Sequence, residues 1–309
     1  MLNKKDLRAR VDRFVGSTPS REMDDLRFAL GSLEASLAGL RPPPTSLHDT
    51  EFKVFSQFGE DGAIQYLVHR LPDIPTSFIE IGVQDYRESN TRFLAMHDNW
   101  AGLAIDGDDA HLGFIRNGET GWRWSVEPIC AFVTAESVND VITRAGMQGE
   151  VGLLSIDVDG VDYWIWDAVA AVSPWVVIIE FNSYFGSAAT LTVPYRPDFN
   201  ARTAHHSSNY HGASLAALHH LGRAKGYRLV GATSNGINAV FVRDDVAADL
   251  WNLTPPQAYV KTRIRTQRDV AGNLTYVGDH QAVLRAMRDL PLLDVVSGET
   301  STVGQLLPG

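Results

Sequence analysis

The stretch Ser77-Phe78-Ile79-Glu80-Ile81-Gly82-Val83-Gln84-Asp85 joins a short apolar run to a glycine with acids on either side. Such a run, closed by a glycine, predicts a buried strand that ends in a tight turn. A second run, Ala101-Gly102-Leu103-Ala104-Ile105-Asp106, ends in an acid 24 residues after Gly82. In open α/β sheets ligands sit beyond the carboxyl ends of the strands. The turn at 80–85 and Asp106 are therefore expected at a cofactor site. Gly82 lets backbone approach a ligand closely, and Asp106 can accept hydrogen bonds from both hydroxyls of a ribose. The turn lacks the full GxGxxG pattern, which disfavours a pyrophosphate-bearing cofactor. A cofactor without phosphates suits an acidic, glycine-poor turn better.

Outward from this turn, apolar runs alternate with helical stretches from about 50 to 245, the pattern of an α/β sheet. Further strands are expected at about 129–133, 151–158 and 175–181, with a crossover helix at 161–172. A helix at 214–225 is followed by Gly226, where a C-capping glycine belongs. The runs 227–233 and 237–243 are joined by Ser234-Asn235-Gly236, a strong hairpin signal, so the sheet is expected to close with an antiparallel strand. The fold class is α/β: a Rossmann-like, mostly parallel sheet with an antiparallel C-terminal hairpin. Residues 1–49 form a helical arm with a proline-rich linker. Leu26, Leu30, Leu33 and Leu37 recur there at spacings of three and four, before Arg41-Pro42-Pro43-Pro44-Thr45 breaks the pattern. The arm is read as a packing or dimerisation element. Residues 50–245 form the cofactor-binding domain, and 246–309 are expected as a mostly helical and irregular extension packed on the core.

Composition bounds the partners. With 44% hydrophobic and 21% charged residues, the 309-residue chain has the make-up of an ordinary globular protein with one large core. A net charge of −10 argues against a nucleic-acid partner, since a phosphate backbone demands a basic face. The single cysteine, Cys130, permits neither an internal disulfide nor a thiolate metal cluster, which fits a reducing cytoplasm. Charged residues follow the basic start Met1-Leu2-Asn3-Lys4-Lys5, where a signal peptide needs an apolar run. The most apolar stretch, 168–179, is too short to span a bilayer and is interrupted by Pro174. The expectation is a soluble, cytoplasmic protein with a small-molecule substrate, no membrane partner, and a homo-oligomer left open.

A set of blocks in fixed order carries a resemblance. Ser56-Gln57-Phe58-Gly59-Glu60-Asp61, Phe78-Ile79-Glu80-Ile81-Gly82-Val83, Glu88-Ser89-Asn90-Thr91 and Trp100-Ala101-Gly102-Leu103-Ala104-Ile105-Asp106 resemble the opening of FkbM-like methyltransferases. Leu154-Ser155-Ile156-Asp157-Val158-Asp159-Gly160, Ile178-Ile179-Glu180-Phe181-Asn182 and Gly236-Ile237-Asn238-Ala239-Val240-Phe241-Val242-Arg243 are in keeping with that group. The resemblance covers about 50–245. It implies a class I methyltransferase sheet and S-adenosylmethionine bound near Gln57, Glu60, Glu80, Gly82 and Asp106, with Asn90 and Thr91 opening the next helix. Phe132 is a candidate for contact with the adenine, or a plain core residue. Overall likeness to methylmannose-polysaccharide methyltransferases implies a sugar or oligosaccharide acceptor.

Asp157 and Asp159 lie two apart at a strand end, and so leave the same face. Asp162 follows, while Glu180 and Asn182 end the neighbouring strand. Like charges raise one another's pKa, so such a cluster calls for a cation, and an oxygen-only set favours Mg²⁺ or Ca²⁺. Asp157, Asp159, Glu180 and Asn182 are the candidate ligands of an ion, Mg²⁺ by preference, that would hold vicinal sugar hydroxyls and acidify one of them. Metal-dependent sugar and catechol O-methyltransferases place ligands at these strand ends, but with an adjacent acidic pair where this chain has Glu-Phe-Asn. In the competing reading Asp159 and Asp162 cap the following helix and Glu180 touches cofactor. His205, His206 and His211 lie in the late loop as candidates for the general base alongside Asp157, or as solvated loop residues. Tyr163-Trp164-Ile165-Trp166 has helical spacing that favours core packing over stacking on a sugar.

Together these features point to an S-adenosylmethionine-dependent O-methyltransferase acting on a sugar or glycan hydroxyl with Mg²⁺. The block Asp157-Val158-Asp159-Gly160 also resembles the nucleophile motif of haloacid-dehalogenase phosphatases. Those enzymes carry it on their first strand and need a lysine after a Ser/Thr, whereas Lys225 precedes Thr233. A nicotinamide dehydrogenase lacks its glycine fingerprint here, and a non-catalytic nucleotide-binding module has little reason to gather so many acids.

Overall fold

The computed structural model describes residues 4–247 and 249–307, with side chains from residue 21 onward except at position 119. The strands in chain order begin with β1 (Ser77–Ile81), β2 (Ala101–Asp106), β3 (Val126–Cys130), β4 (Gly149–Ile156) and β5 (Val172–Glu180). The short β6 (Leu191–Thr192), β7 (Tyr227–Ala232) and β8 (Asn238–Arg243) follow. Seven of them make one sheet in the order β3-β2-β1-β4-β5-β8-β7. Within it β8 pairs antiparallel with both β5 and β7, and the remaining pairs are parallel. The order reverses between β1 and β4, which makes the topological switch point of a Rossmann-like methyltransferase sheet.

Alternation along the strands explains why the sheet is buried on both faces. Ile79, Ile81, Leu103, Ile105, Leu154, Ile156, Val177 and Ile179 face one core. Phe78, Ala104, Leu153, Val176, Ile178, Val240 and Val242 face the other. Strands covered on both sides read as continuous apolar runs, and these do. Helix α1 (Lys4–Ala38) lies against the body, and α2 (Glu60–Arg70) leads into β1.

Register brings the strand ends level. Ile81 pairs with Ile105 of β2 and Ile156 of β4, and Ile156 pairs with Ile179 of β5. The next residues, Gly82, Asp106, Asp157 and Glu180, therefore emerge side by side at the switch point. The site is written into the strand pairing.

Several boundaries differ from expectation. β3 begins at Val126 and contains Pro128, which an edge strand tolerates. The crossover helix is shorter, Asp162–Ala168, because the side chain of Asn139 accepts hydrogen bonds from Ala170 N and Ala171 N and Val172 already opens β5. The antiparallel β8 is inserted between β5 and the edge strand β7. The extension after 246 is not mostly helical: it forms β9 (Thr266–Arg268), β10 (Leu274–Tyr276), β11 (Pro291–Asp294) and β12 (Thr300–Thr302) beside two short helices. β11 adds to β6, and Val283, Leu284, Met287, Leu292 and Val303 enter the core. Among the described residues no helix is long and apolar enough to cross a membrane.

Candidate active site

A cleft of about 730 Å³ opens over the level strand ends. Its size suits a small-molecule site. One half is bordered by Gln57, Gly82, Gln84, Asp106, His111 and Phe132, the other by Asp157, Asp159, Glu180, Asn182 and His211.

In the first half the backbone is strained where it passes the cleft: Gly82, Gln84 and Tyr86 have φ of +89°, +47° and +61°. Non-glycine residues in the left-handed region persist only where surroundings hold them. Here Tyr86 is fully buried, with its hydroxyl 2.9 Å from Thr91 Oγ1, and Gln84 N donates to Asp106 Oδ2 at 2.7 Å. Asp106 Oδ1 also accepts from Asp108 N and lies 2.9 Å from His111 Nδ1. That hydrogen bond raises the pKa of His111 above its ordinary value. Phe132 is 61% exposed and lies against Gly107, an apolar shelf left open to the cleft. The arrangement fits a nucleoside, with the shelf for a base and Asp106 for a ribose. It offers no run of glycines for a pyrophosphate.

The structure gives other expected cofactor residues different surroundings. Glu80 is buried and does not border the cleft. Its carboxylate accepts from Ser89 Oγ, Asn90 N, Thr91 N and Thr91 Oγ1 at 2.5–3.1 Å. Burial raises its pKa despite those bonds. Asn90 donates from its side chain to Ser155 Oγ, and Thr91 caps the helix Arg92–His97. Glu60 accepts from Phe58 N and from the side chain of Asn238. Asp61 of the same block gathers Val54 N, Phe55 N, Ser56 N and Ser56 Oγ, and burial pushes its pKa up to about 6. Glu60, Glu80, Asn90 and Thr91 thus brace the walls, while Gln57, Gly82, Asp106 and Phe132 border the cleft.

In the second half, Asp157 and Asp159 accept no hydrogen bond from a protein group among the described residues; Asp159 is exposed, with φ +51°. Asp162 is spent differently, since it accepts from Val158 N and Gly160 N and ties the turn. Burial and then the Glu180 charge push Asp162 up to about 7, and the same two causes hold Asp157 well above the carboxylate range. For Asp159 the Glu180 charge is the larger cause, ahead of burial. His211 Nδ1 stands 3.3 Å from Glu180 Oε2, but the two are not aligned as a hydrogen bond and both atoms are buried without another partner. Burial pulls the His211 pKa down; Glu180, with Asp159 and Asp162, outweighs it and brings it to about 9.

Two overlapping ligand sets result, Asp159 with Glu180 and His211, and Asp157 with Asp162 and Glu180, each with donor atoms within 4.8 Å of one another. The orphaned Glu180 Oε2 and His211 Nδ1 are the atoms a cation would satisfy, so the donor set fits a divalent ion. Asn182 borders the cleft but its amide is engaged, accepting from Tyr184 N and donating to the carbonyls of Asn209 and His211. It holds the loop that presents His211. His205 and His206 do not border the cleft; their rings lie against each other, with His205 Nδ1 2.8 Å from Ser207 Oγ. Trp166 is core, against Tyr227 and Phe241. Lys225 donates to the carbonyls of Asp167 and Val169, remote from the acids.

Gln84 borders the cleft from within the expected turn, while the sequence reading missed His111 and the segment Thr262, Ile264, Gln267 and Arg268 that walls the far side. A second cleft of about 570 Å³ shares Tyr184, Thr262 and Ile264 with the first and is bordered by Lys261, Arg263 and Arg265. The one available signal was that run of alternating cations within an acidic chain.

No protein-family model and no curated protein matches the sequence. Solved structures similar to it include an S-adenosylmethionine-dependent methyltransferase from Clostridium acetobutylicum, 12% identical over 60% of this chain and 90% of that one, TM-score 0.39. An O-methyltransferase family protein from Burkholderia thailandensis is 14% identical over 60% and 58%, TM-score 0.35. TehB from Haemophilus influenzae is 10% identical over 59% of this chain and 62% of its own length, TM-score 0.36. At TM-scores below 0.5 these likenesses carry no weight, and the fold assignment rests on the strand order itself.

Proposed function

We propose that this chain is an S-adenosylmethionine-dependent O-methyltransferase that acts on a hydroxyl of a sugar or glycan with the help of a divalent cation, Mg²⁺ by preference. The observation that carries this reading is the meeting of two half-sites in one cleft: the Asp106–Phe132 ledge and the Asp157–Asp159–Glu180 cluster. When bound, adenosylmethionine supplies an electrophilic methyl group on a sulfonium centre. Asp106 takes the ribose hydroxyls, Phe132 offers its face to the adenine, and Gly82 and Gln57 border the remainder. Asp157, Asp159 and Glu180 would hold the cation, which would lower the pKa of an acceptor hydroxyl; His211, on giving up its proton, would add a nitrogen donor, and Asn182 fixes its loop. Asp157, which accepts no hydrogen bond from a protein group among the described residues, would orient the acceptor hydroxyl and take its proton. An acceptor longer than one sugar has the second cleft to run into.

Calorimetry tests the cofactor half. Adenosylmethionine is expected to bind and NAD to give no heat, and Asp106→Ala is expected to weaken adenosylmethionine by about 10–100-fold, the loss of one or two hydrogen bonds to a charged group. Absence of heat with adenosylmethionine would sink the reading.

The acid half has a pH signature. Asp157, Asp159, Asp162 and His211 all hold their protons more tightly in the folded protein than in the unfolded chain. The contribution of these four groups to folding is therefore fully present at low pH and is lost as pH rises from near 4, through about 7 at Asp162 and about 9 at His211. In EDTA the melting temperature is expected to fall by several degrees between pH 5 and 8. Millimolar Mg²⁺ at pH 8 should restore most of it. A melting temperature indifferent to Mg²⁺ would remove the ion from the proposal.

A further inference from the structure

Helix α1 presents two unlike faces. Phe28 sits edge-on to Phe93, Gly31 approaches Val54 and Phe93 so closely that a Cβ would lie 2.3 Å from Val54, and Ala35 is buried. Asp24 accepts from the guanidinium of the buried Arg92 at 2.8 Å. These four residues dock the helix on its own body. The opposite face carries Met23, Leu26, Leu30, Leu33 and Leu37, with Leu40 in the turn just beyond, and every one is exposed, most by half or more. Their spacing is 3-4-3-4-3, so they fill the a and d positions of a heptad while the docked residues fill b and f. A packing arm needs apolar residues only on the docked side. A strict 3.5-residue seam on the free side is the signature of a second helix, and an apolar stripe of this extent is not left to water.

We infer that this seam pairs with the same seam of a second copy of the chain, forming a two-fold symmetric, antiparallel two-helix coiled coil about 24 Å long, with Leu40 closing each end from the turn. Antiparallel overlap of all six positions sets Met23 against Leu40 of the partner subunit, Leu26 against Leu37 of the partner subunit, and Leu30 against Leu33 of the partner subunit. That alignment also brings Arg27, at an e position, beside Glu34 of the partner subunit, and symmetry makes the pair twice. So short a coiled coil is marginal for free peptides. Here the helix is already ordered by its docking on the body, which removes most of the ordering cost.

Sedimentation or light scattering on the full chain tests this, and independently of the methyl-transfer reading. The wild type is expected to have the mass of a dimer at about 50 µM. Leu30→Glu with Leu33→Glu should give a monomer whose circular dichroism matches the wild type, because neither side chain serves the docked face. Arg27→Glu should raise the dissociation constant about tenfold, and Arg27→Glu with Glu34→Arg should recover most of the loss. A wild type that stays monomeric, or a double-glutamate variant that stays dimeric, overturns the interface. Failure of the charge swap to recover affinity overturns the antiparallel alignment.

Discussion

Replacement of Gly82 by alanine is expected to lower the melting temperature by about 10 °C or more and to weaken adenosylmethionine binding beyond detection in any folded fraction. Gly82 has φ +89°, where a Cβ costs about 1–2 kcal/mol by itself. The larger problem is steric, since that Cβ would lie 1.6 Å from the carbonyl oxygen of Asp157. The neighbour is backbone and cannot rotate away. Gly82 N donates to Ile105 O and Asp157 N donates to Ile81 O, so the ends of β1, β2 and β4 are sewn together at this point. Making room for one methyl means parting β1 from β4 where both half-sites begin. Gly146 is the control: its φ is +75°, yet a Cβ there meets nothing within 4 Å. Gly146→Ala should show the conformational cost alone, a few degrees, with cofactor binding unchanged. Equal losses in the two variants, read by thermal melts and calorimetry, would show that close approach at the switch point is unimportant.

That glycine also marks how much could be read before the structure. The runs that became β1, β2, β4 and β5 were legible because each is covered on both faces and so is mostly apolar, whereas β3, an edge strand with exposed Glu127 and Cys130, was expected three residues late, at 129–133. The level of the strand ends was legible too, since each of β1, β2, β4 and β5 gives way to a glycine or an acid at its last paired residue or just past it. Residue type, however, does not carry direction. Glu80 reads as a ligand contact, yet it shares the Phe78 side of β1, away from Ile79 and Ile81, and is absorbed by Ser89–Thr91. The three loop histidines were equal in the sequence. His211 alone of them reaches the acids, because the Asn182 amide anchors the carbonyls on either side of Tyr210. The extension was misread for another reason: β9–β12 are three or four residues each, too short for alternation to register. β11 is a strand because β6 offers it an edge, a fact of tertiary structure.

Asp157→Asn is expected to reduce methyl transfer to a good acceptor, found from a panel of sugars, by about 10²–10⁴-fold, while adenosylmethionine affinity changes by less than about threefold. The substitution keeps shape and removes charge at an acid of the cluster that accepts no hydrogen bond from a protein group among the described residues. It should also make the metal-free protein more stable. Asp157 stands among Glu180, Asp159 and Asp162, whose charges, after burial, hold its pKa well above the ordinary carboxylate value. Taking one charge from that group relieves repulsion, so a melting temperature a few degrees higher in EDTA is expected, with a smaller gain on adding Mg²⁺. A residue that merely supported the fold would move stability and activity downward together; opposite signs are what a functional acid held against electrostatic cost produces. Asp162→Asn supplies the contrast. Its carboxylate holds Val158 N and Gly160 N, so its loss loosens the turn and should lower activity and melting temperature in step. If Asp157→Asn turns over within tenfold of the wild type, the acid cluster has another purpose and the base must be sought elsewhere in the cleft.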